Sequence, residues 1–94
     1  MKEKQSTARE AVLDQIKNYA VRMNLLNPDP EIDESDTLEQ LGFDSLEVCQ
    51  MIMDTEDEFE IEIPDNDWTT VGKVLDVVTP IVERQWEDEK RKSS

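Results

Sequence analysis

The sequence predicts a small all-α domain, and three observations carry that reading. Apolar residues recur at helical spacing in three separate stretches, near residues 8–23, 45–59 and 71–86. Two of these open on a capping box, a hydroxyl or carboxylate residue followed three positions later by Glu: Thr7 with Glu10 and Asp44 with Glu47. The only segment with period-two alternation, Glu60-Ile61-Glu62-Ile63-Pro64, has no second segment to pair with and makes no sheet. At 94 residues the chain allows one domain. Its core is expected over about residues 7–83, with residues 1–5 and 87–94 flexible.

Each element follows from its residues. Val12, Ile16, Tyr19/Ala20 and Met23 place one apolar stripe on the first helix, which Asn24 and Asn27-Pro28 end. Residues 27–36 have no period and form a long loop anchored only by Ile32. Thr37-Leu38-Glu39-Gln40-Leu41-Gly42 reads as one helical turn closed by glycine. The second helix starts at Asp44. On a wheel of 100° per residue, Val48, Met51, Ile52, Thr55 and Phe59 share an arc of about 100° facing the core. Leu46, Cys49 and Met53 form a second apolar group well away from the first. That group either packs under another part of the chain or meets a partner. Residues 61–64 form an extended link, and 65–68 a turn or very short helix. Thr69 or Thr70 caps the last helix, which Val71, Val74/Leu75, Val78, Ile81/Val82 and Trp86 line; Pro80 is expected to kink or break it.

Composition narrows the function. The chain holds 24 Asp or Glu against 10 Lys or Arg, a net charge of −14. Residues 23–72 contain 16 of the acids and no basic residue. Such a field opposes nucleic acid and anionic bilayers and steers basic proteins toward the surface. No apolar run approaches the roughly 20 residues of a membrane helix. Leu, Ile, Val and Phe total 23, enough for a thin core. With no His, hydrolytic triads built on that base cannot form within the chain. A single cysteine, Cys49, makes no internal disulfide and fits a reducing, cytoplasmic setting. Lying in the acidic segment without a basic neighbour, it is read as a small apolar residue, not a nucleophile.

Calcium loops fail at their diagnostic positions. Counted from Asp29, the sixth residue is Glu34 and the twelfth Gln40; counted from Asp65, they are Thr70 and Asp76. No metal site is assigned. Ser45 stands out instead. It lies at the start of a helix whose first amides favour a phosphate, and no base in the chain can activate it. Any chemistry at Ser45 is therefore performed by another protein.

Leu41-Gly42-Phe43-Asp44-Ser45-Leu46 resembles the Leu-Gly-x-Asp-Ser-Leu signature of acyl carrier proteins. The likeness continues through Glu47, Glu56-Asp57-Glu58-Phe59, Ile61-Glu62-Ile63-Pro64-Asp65 and Thr69-Thr70-Val71-Gly72, and spans roughly residues 8–82. The resemblance implies a small antiparallel four-helix bundle with a long loop after helix I and a shortened helix III. It implies no catalysis. Ser45 would carry 4′-phosphopantetheine, added from coenzyme A by a separate transferase that contacts Asp44, with Leu46 beside it. The thiol of that group would hold acyl intermediates as thioesters, shielded among Val48, Ile52, Phe59 and Val71. Leu46, Cys49 and Met53, ringed by Glu47, Asp54, Glu56 and Asp57, would meet basic patches on acyl-processing enzymes, with the carrier acting as a monomer.

The chain also departs from the family pattern. Only Asn66-Asp67-Trp68 separates the Ile-Pro-Asp loop from Thr-Thr-Val-Gly, so helix III is expected to be stunted or lost, with Trp68 expected to fill the gap. Gln50 stands where glutamate is common, Thr55 replaces a core leucine, and Pro80, Trp86 and the charged tail run past the usual end. These departures point to a specialised pathway instead of housekeeping fatty-acid synthesis. Two alternatives stand beside the acyl carrier: an aminoacyl or peptidyl carrier, and an unmodified acidic adaptor for basic proteins.

Overall fold

The computed structural model describes residues 7–26 and 31–93, the last two without their side chains. Three α-helices occur among them: α1 (Ala8–Arg22), α2 (Ser45–Phe59) and α3 (Val71–Ser93). No described helix is long and apolar enough to cross a membrane. α1 packs against both α3 and α2.

The Thr7–Glu10 capping box starts α1: the Glu10 amide donates to Thr7 Oγ1 at 3.1 Å and the Thr7 amide to Glu10 Oε1 at 3.2 Å. Ala8, Val12, Ile16, Tyr19 and Ala20 turn inward. Asn24 adopts φ 63° and reverses the chain, while the Leu25 amide donates to the Ala20 carbonyl at 2.8 Å. That turn carries Met23 off the buried stripe and leaves it 44% exposed, correcting its expected place in the core. Asn27-Pro28, the second expected stop, lies outside the described residues.

Between the helices, two loops clasp each other. The Leu38 amide donates to the Thr69 carbonyl at 3.0 Å, beside an isolated antiparallel bridge between Thr37 and Thr70. The loop also caps α3. The Val71 amide donates to the Asp36 carbonyl at 2.9 Å and the Gly72 amide to the Glu34 carbonyl at 2.8 Å. A Cβ on Gly72 would stand 3.1 Å from that Glu34 oxygen, a tight contact that glycine avoids. Thr70, not Thr69, supplies the side-chain cap, accepting from the Lys73 amide at 3.1 Å. Arg9 ties the three parts together by donating to Glu34 Oε2 at 3.0 Å and Asp76 Oδ1 at 3.4 Å. Its hydrogen bond holds the Glu34 carboxyl below the usual carboxylate range.

Two expectations are corrected. Of a stunted or a lost helix III the structure shows the second: residues 61–69 form no helix, so three helices replace the expected four among the described residues. Pro64 and the clasp at Thr69 leave only four residues between them, too few for a stable turn, and Asp67 bonds Thr69 locally instead, accepting its hydroxyl at 2.8 Å. Conversely, α3 runs unbroken through Pro80 to Ser93. A mid-helix proline costs about 3 kcal/mol or more. Here Pro80 and Asp76, whose carbonyl loses its amide donor, both lie on the exposed face of the helix. Burial of Val78 and Val82 and packing of Trp86 on Phe59, ring centroids 6.5 Å apart, hold the helix on either side.

α2 ends at Glu60, which takes a left-handed conformation (φ 57°, ψ 52°) with no basic residue in the preceding turn. An L side chain pays roughly 1 kcal/mol there, and a carboxylate opposes the negative end of the helix dipole. Glu60→Gly is expected to stabilise the fold by about 1 kcal/mol, a rise of several degrees in thermal midpoint. An unchanged or lower midpoint contradicts the strain argument.

The acidic field gives a second expectation. Among the described residues only Arg9 and Arg22 form ion pairs reaching into residues 23–72, against 16 acids there. Repulsion therefore outweighs attraction, and raising ionic strength should raise the thermal midpoint. A midpoint that stays flat from low to physiological salt excludes this.

Candidate functional site

The turn before α2 sets out one exposed hydroxyl. Thr37 and Gln40 exchange side-chain and backbone bonds at 2.8 and 3.0 Å, and the Leu41 amide donates to the Thr37 and Leu38 carbonyls, closing the expected single turn. Gly42 then takes φ 97°, which only glycine adopts without strain. The Phe43 amide returns to the Leu38 carbonyl at 3.0 Å. Leu38 and Phe43 are buried, and the Phe43 ring stacks on Tyr19 with centroids 5.9 Å apart. Burial pushes the Tyr19 phenol up, and the charges of Glu47 and Asp54 add to that effect. With its two anchors inside, the turn leaves Asp44, Ser45 and Leu46 in solvent.

Asp44 caps the helix. Its Oδ1 accepts from the Glu47 amide at 2.8 Å, and Glu47 Oε1 accepts from the Asp44 amide at 3.1 Å. Ser45 is the first helical residue and does no capping. The amides of Ser45 and Leu46 have no partner among the described residues, so two donors and the positive end of the α2 dipole flank the hydroxyl. Beside Ser45 opens a groove of about 390 Å³, lined by Leu38, Phe43, Val48 and Trp68, by Thr37 and Thr69, and by the carboxylates Glu39 and Asp44.

This arrangement can do one thing well. It presents a serine hydroxyl, without a base of its own, next to donors suited to a phosphate. A family model described as "Phosphopantetheine attachment site" matches residues 20–78. The chain belongs to that family. It is 41% identical over 68 residues to the acyl carrier protein of Wolinella succinogenes, covering 72% of this chain and 90% of that one. It is 42% identical over 71 residues to the acyl carrier protein of Campylobacter jejuni strain RM1221, covering 76% and 92%. The acyl carrier protein of Campylobacter fetus is 39% identical over the same shares. No solved structure matches significantly.

The prosthetic group of this phosphopantetheine-attachment family is a covalent 4′-phosphopantetheine. The residues present fit it at the point of attachment: an exposed hydroxyl to esterify and two unpaired amides for the phosphate, beside a groove lined by apolar, hydroxyl and carboxylate side chains.

The structure sorts the remaining site residues of this carrier-family chain. Leu46 and Met53 are 65% and 59% exposed, and Cys49 is exposed between them, so no described segment covers the second apolar group. Met23 extends it, sharing with Met53, Tyr19 and Asp54 the lining of a shallow groove of about 350 Å³ between α1 and α2. Sequence periodicity placed Met23 on the buried stripe instead, because it extends the helical register one residue past Arg22, where α1 ends.

The acids differ from one another more than their spacing suggests. Glu47 is committed to the cap. Asp54 Oδ2 accepts from Gln15 at 2.7 Å and Arg22 at 2.8 Å, which ties α2 to α1. Glu56 Oε2 accepts from the Ile63 amide at 2.7 Å and holds the chain leaving α2. Asp57 alone of the four is exposed and without a side-chain partner among the described residues.

Proposed function

We propose that the protein is an acyl carrier in which Ser45 receives 4′-phosphopantetheine from a separate transferase. The observation that carries this reading is Ser45 itself, an exposed hydroxyl at the first position of a capped helix in a chain of the phosphopantetheine-attachment family. The bound group supplies a thiol that holds acyl groups as thioesters. The residues of the chain do the rest. Asp44 fixes the start of α2, so that the Ser45 oxygen stands clear of the fold, and its free Oδ2 is open to the transferase. Leu46, Cys49 and Met53 form the apolar patch on which partner enzymes dock. Asp57 is the carboxylate best placed to meet their basic residues, while Glu47, Asp54 and Glu56 lend charge from fixed positions.

The carrier works by effective concentration, presenting a tethered substrate to each enzyme in turn in a reducing cytoplasm. Thr55 sits fully buried where its hydroxyl donates to the Met51 carbonyl at 2.7 Å, a polar point in the core that suits a specialised pathway more than long saturated chains. The test is intact-protein mass after incubation with coenzyme A and a broad-specificity phosphopantetheinyl transferase. A gain of one phosphopantetheine is expected. A folded chain that gains nothing with two different transferases returns the acidic adaptor.

A further inference from the structure

We propose that the stretch of α3 beyond Pro80 builds, with the end of α2, a docking groove for a basic, amphipathic polypeptide segment of a partner enzyme. The proposal rests on the carrier reading and deepens it, naming a second contact with the partner and the chemistry which that contact needs.

The groove exists because α3 does not stop at its proline. Trp86 packs on Phe59, ring centroids 6.5 Å apart, and so pins the later turns of α3 against the last turn of α2. Beside that contact opens a space of about 560 Å³. Ile81, Arg84, Gln85 and Asp88 form its α3 wall. Glu56, Asp57 and residues 60–62, where the chain turns out of α2 at the left-handed Glu60, form the other.

Five carboxylates and one guanidinium share that lining, a net charge of −4. Two of the carboxylates are spent. Glu56 accepts from the Ile63 amide at 2.7 Å, and Asp88 pairs with Arg91. Asp57, Glu60 and Glu62 are exposed and have no side-chain partner among the described residues. Arg84 is exposed too, and it pairs with none of the described carboxylates although it lines the same groove. Half-buried Ile61 and Ile81 add apolar surface.

A polypeptide complements all three features. Its Lys or Arg side chains meet the free carboxylates, an apolar side chain covers Ile61 and Ile81, and main-chain carbonyls accept from Arg84. A small polycation answers the carboxylates alone and is repelled by Arg84. Position favours a partner enzyme as the source. Asp57 lines this groove and also the shallower one that holds Met23 and Met53, so the two meet at the end of α2. An enzyme seated on Leu46, Cys49 and Met53 therefore reaches the α3 wall by extending one basic arm. Enzymes without such an arm gain nothing from this wall, which lets the carrier tell partners apart.

The test uses the full chain loaded with phosphopantetheine, the loading followed by intact mass, and two probes: a short amphipathic peptide of Leu, Arg and Lys, and spermine. Backbone amide shifts are read by NMR at physiological ionic strength, where exposed charges more than about 8 Å apart are largely screened. The peptide is expected to shift amides in residues 56–62 and 81–88 together. Glu60→Gln with Glu62→Gln should weaken it roughly tenfold. Arg84→Gln should weaken it as well, although that change removes a like charge. Asp14→Asn with Glu31→Gln, exposed acids outside the lining, should leave the affinity within about twofold. All five of these side chains are exposed and without a partner among the described residues, so the fold should survive each change.

Shifts confined to α2 overturn the proposal. Equal weakening by the two acid pairs does the same, since the acidic field alone would then bind. So does tighter peptide binding in Arg84→Gln, or spermine that binds as tightly and moves the same amides, because the groove would then take any cation. Absence of mass gain overturns the carrier reading instead, and titration of the unloaded chain still decides the groove.

Discussion

Ser45→Ala is expected to abolish phosphopantetheine attachment completely while leaving the fold intact. The oxygen that forms the phosphodiester is removed, and the neighbouring acids are held in the cap and form no nucleophile in its place. The fold should not notice. Ser45 is exposed, its hydroxyl makes no hydrogen bond among the described residues, and the cap belongs to Asp44. Alanine is also the best helix former, so the change in stability should stay within about 0.5 kcal/mol. Intact mass and thermal midpoint together check this. Any mass gain in the variant places attachment elsewhere, and a large fall in midpoint means the serine has a structural role that the bonds do not show. A companion pair separates the two duties of Asp44. Asp44→Asn keeps a good cap and removes the charge, so it tests recognition by the transferase. Asp44→Ala removes both and costs about 1 kcal/mol in addition.

How much of this was legible beforehand depended on whether the cause was local. The capping boxes at Thr7 and Asp44 form as read, because their bonds span three residues. The inward faces of α1 and α2 also form as read, from Val12 to Ala20 and from Val48 to Thr55, because burial follows helical period. The Ser45 turn was legible for the same reason: glycine, cap and first turn are consecutive.

What escaped depended on distant segments. Nothing near Asp54 announces Gln15 and Arg22, which lie 39 and 32 residues away and draw it out of the expected partner ring. Pro80 looks like a break until Val78, Val82 and Trp86 are seen packed on both sides of it. The groove at Ser45 is assembled from three separate stretches, and a wheel drawn on one helix cannot show it. Helix III is the exception: its expected stunting or loss was legible in the four residues between Pro64 and Thr69, and loss is the outcome.

Leu75→Ala is expected to be the most destabilising simple truncation in α3. Leu75 is fully buried in the cluster that joins Ile16, Leu38, Met51 and Val71, and deleting its three outer carbons loses their transfer energy and leaves a cavity. Such changes cost 2–5 kcal/mol. For a domain of this length that lowers the thermal midpoint by roughly 10–30 °C. The loss weighs heavily because small domains hold only about 5–15 kcal/mol in total and this one carries −14 charges against itself. The two effects are separable. Added salt screens the repulsion without refilling the cavity, so it should raise the midpoints of wild type and variant by similar amounts and leave the gap between them unchanged. Met53→Ala, made at a side chain 59% exposed, should move the midpoint by only a few degrees at most. If Leu75→Ala costs no more than Met53→Ala, the packing of α3 against the rest of the core is not what holds this acidic chain together. If the gap closes in salt, the leucine matters through charge spacing and not through the volume it fills.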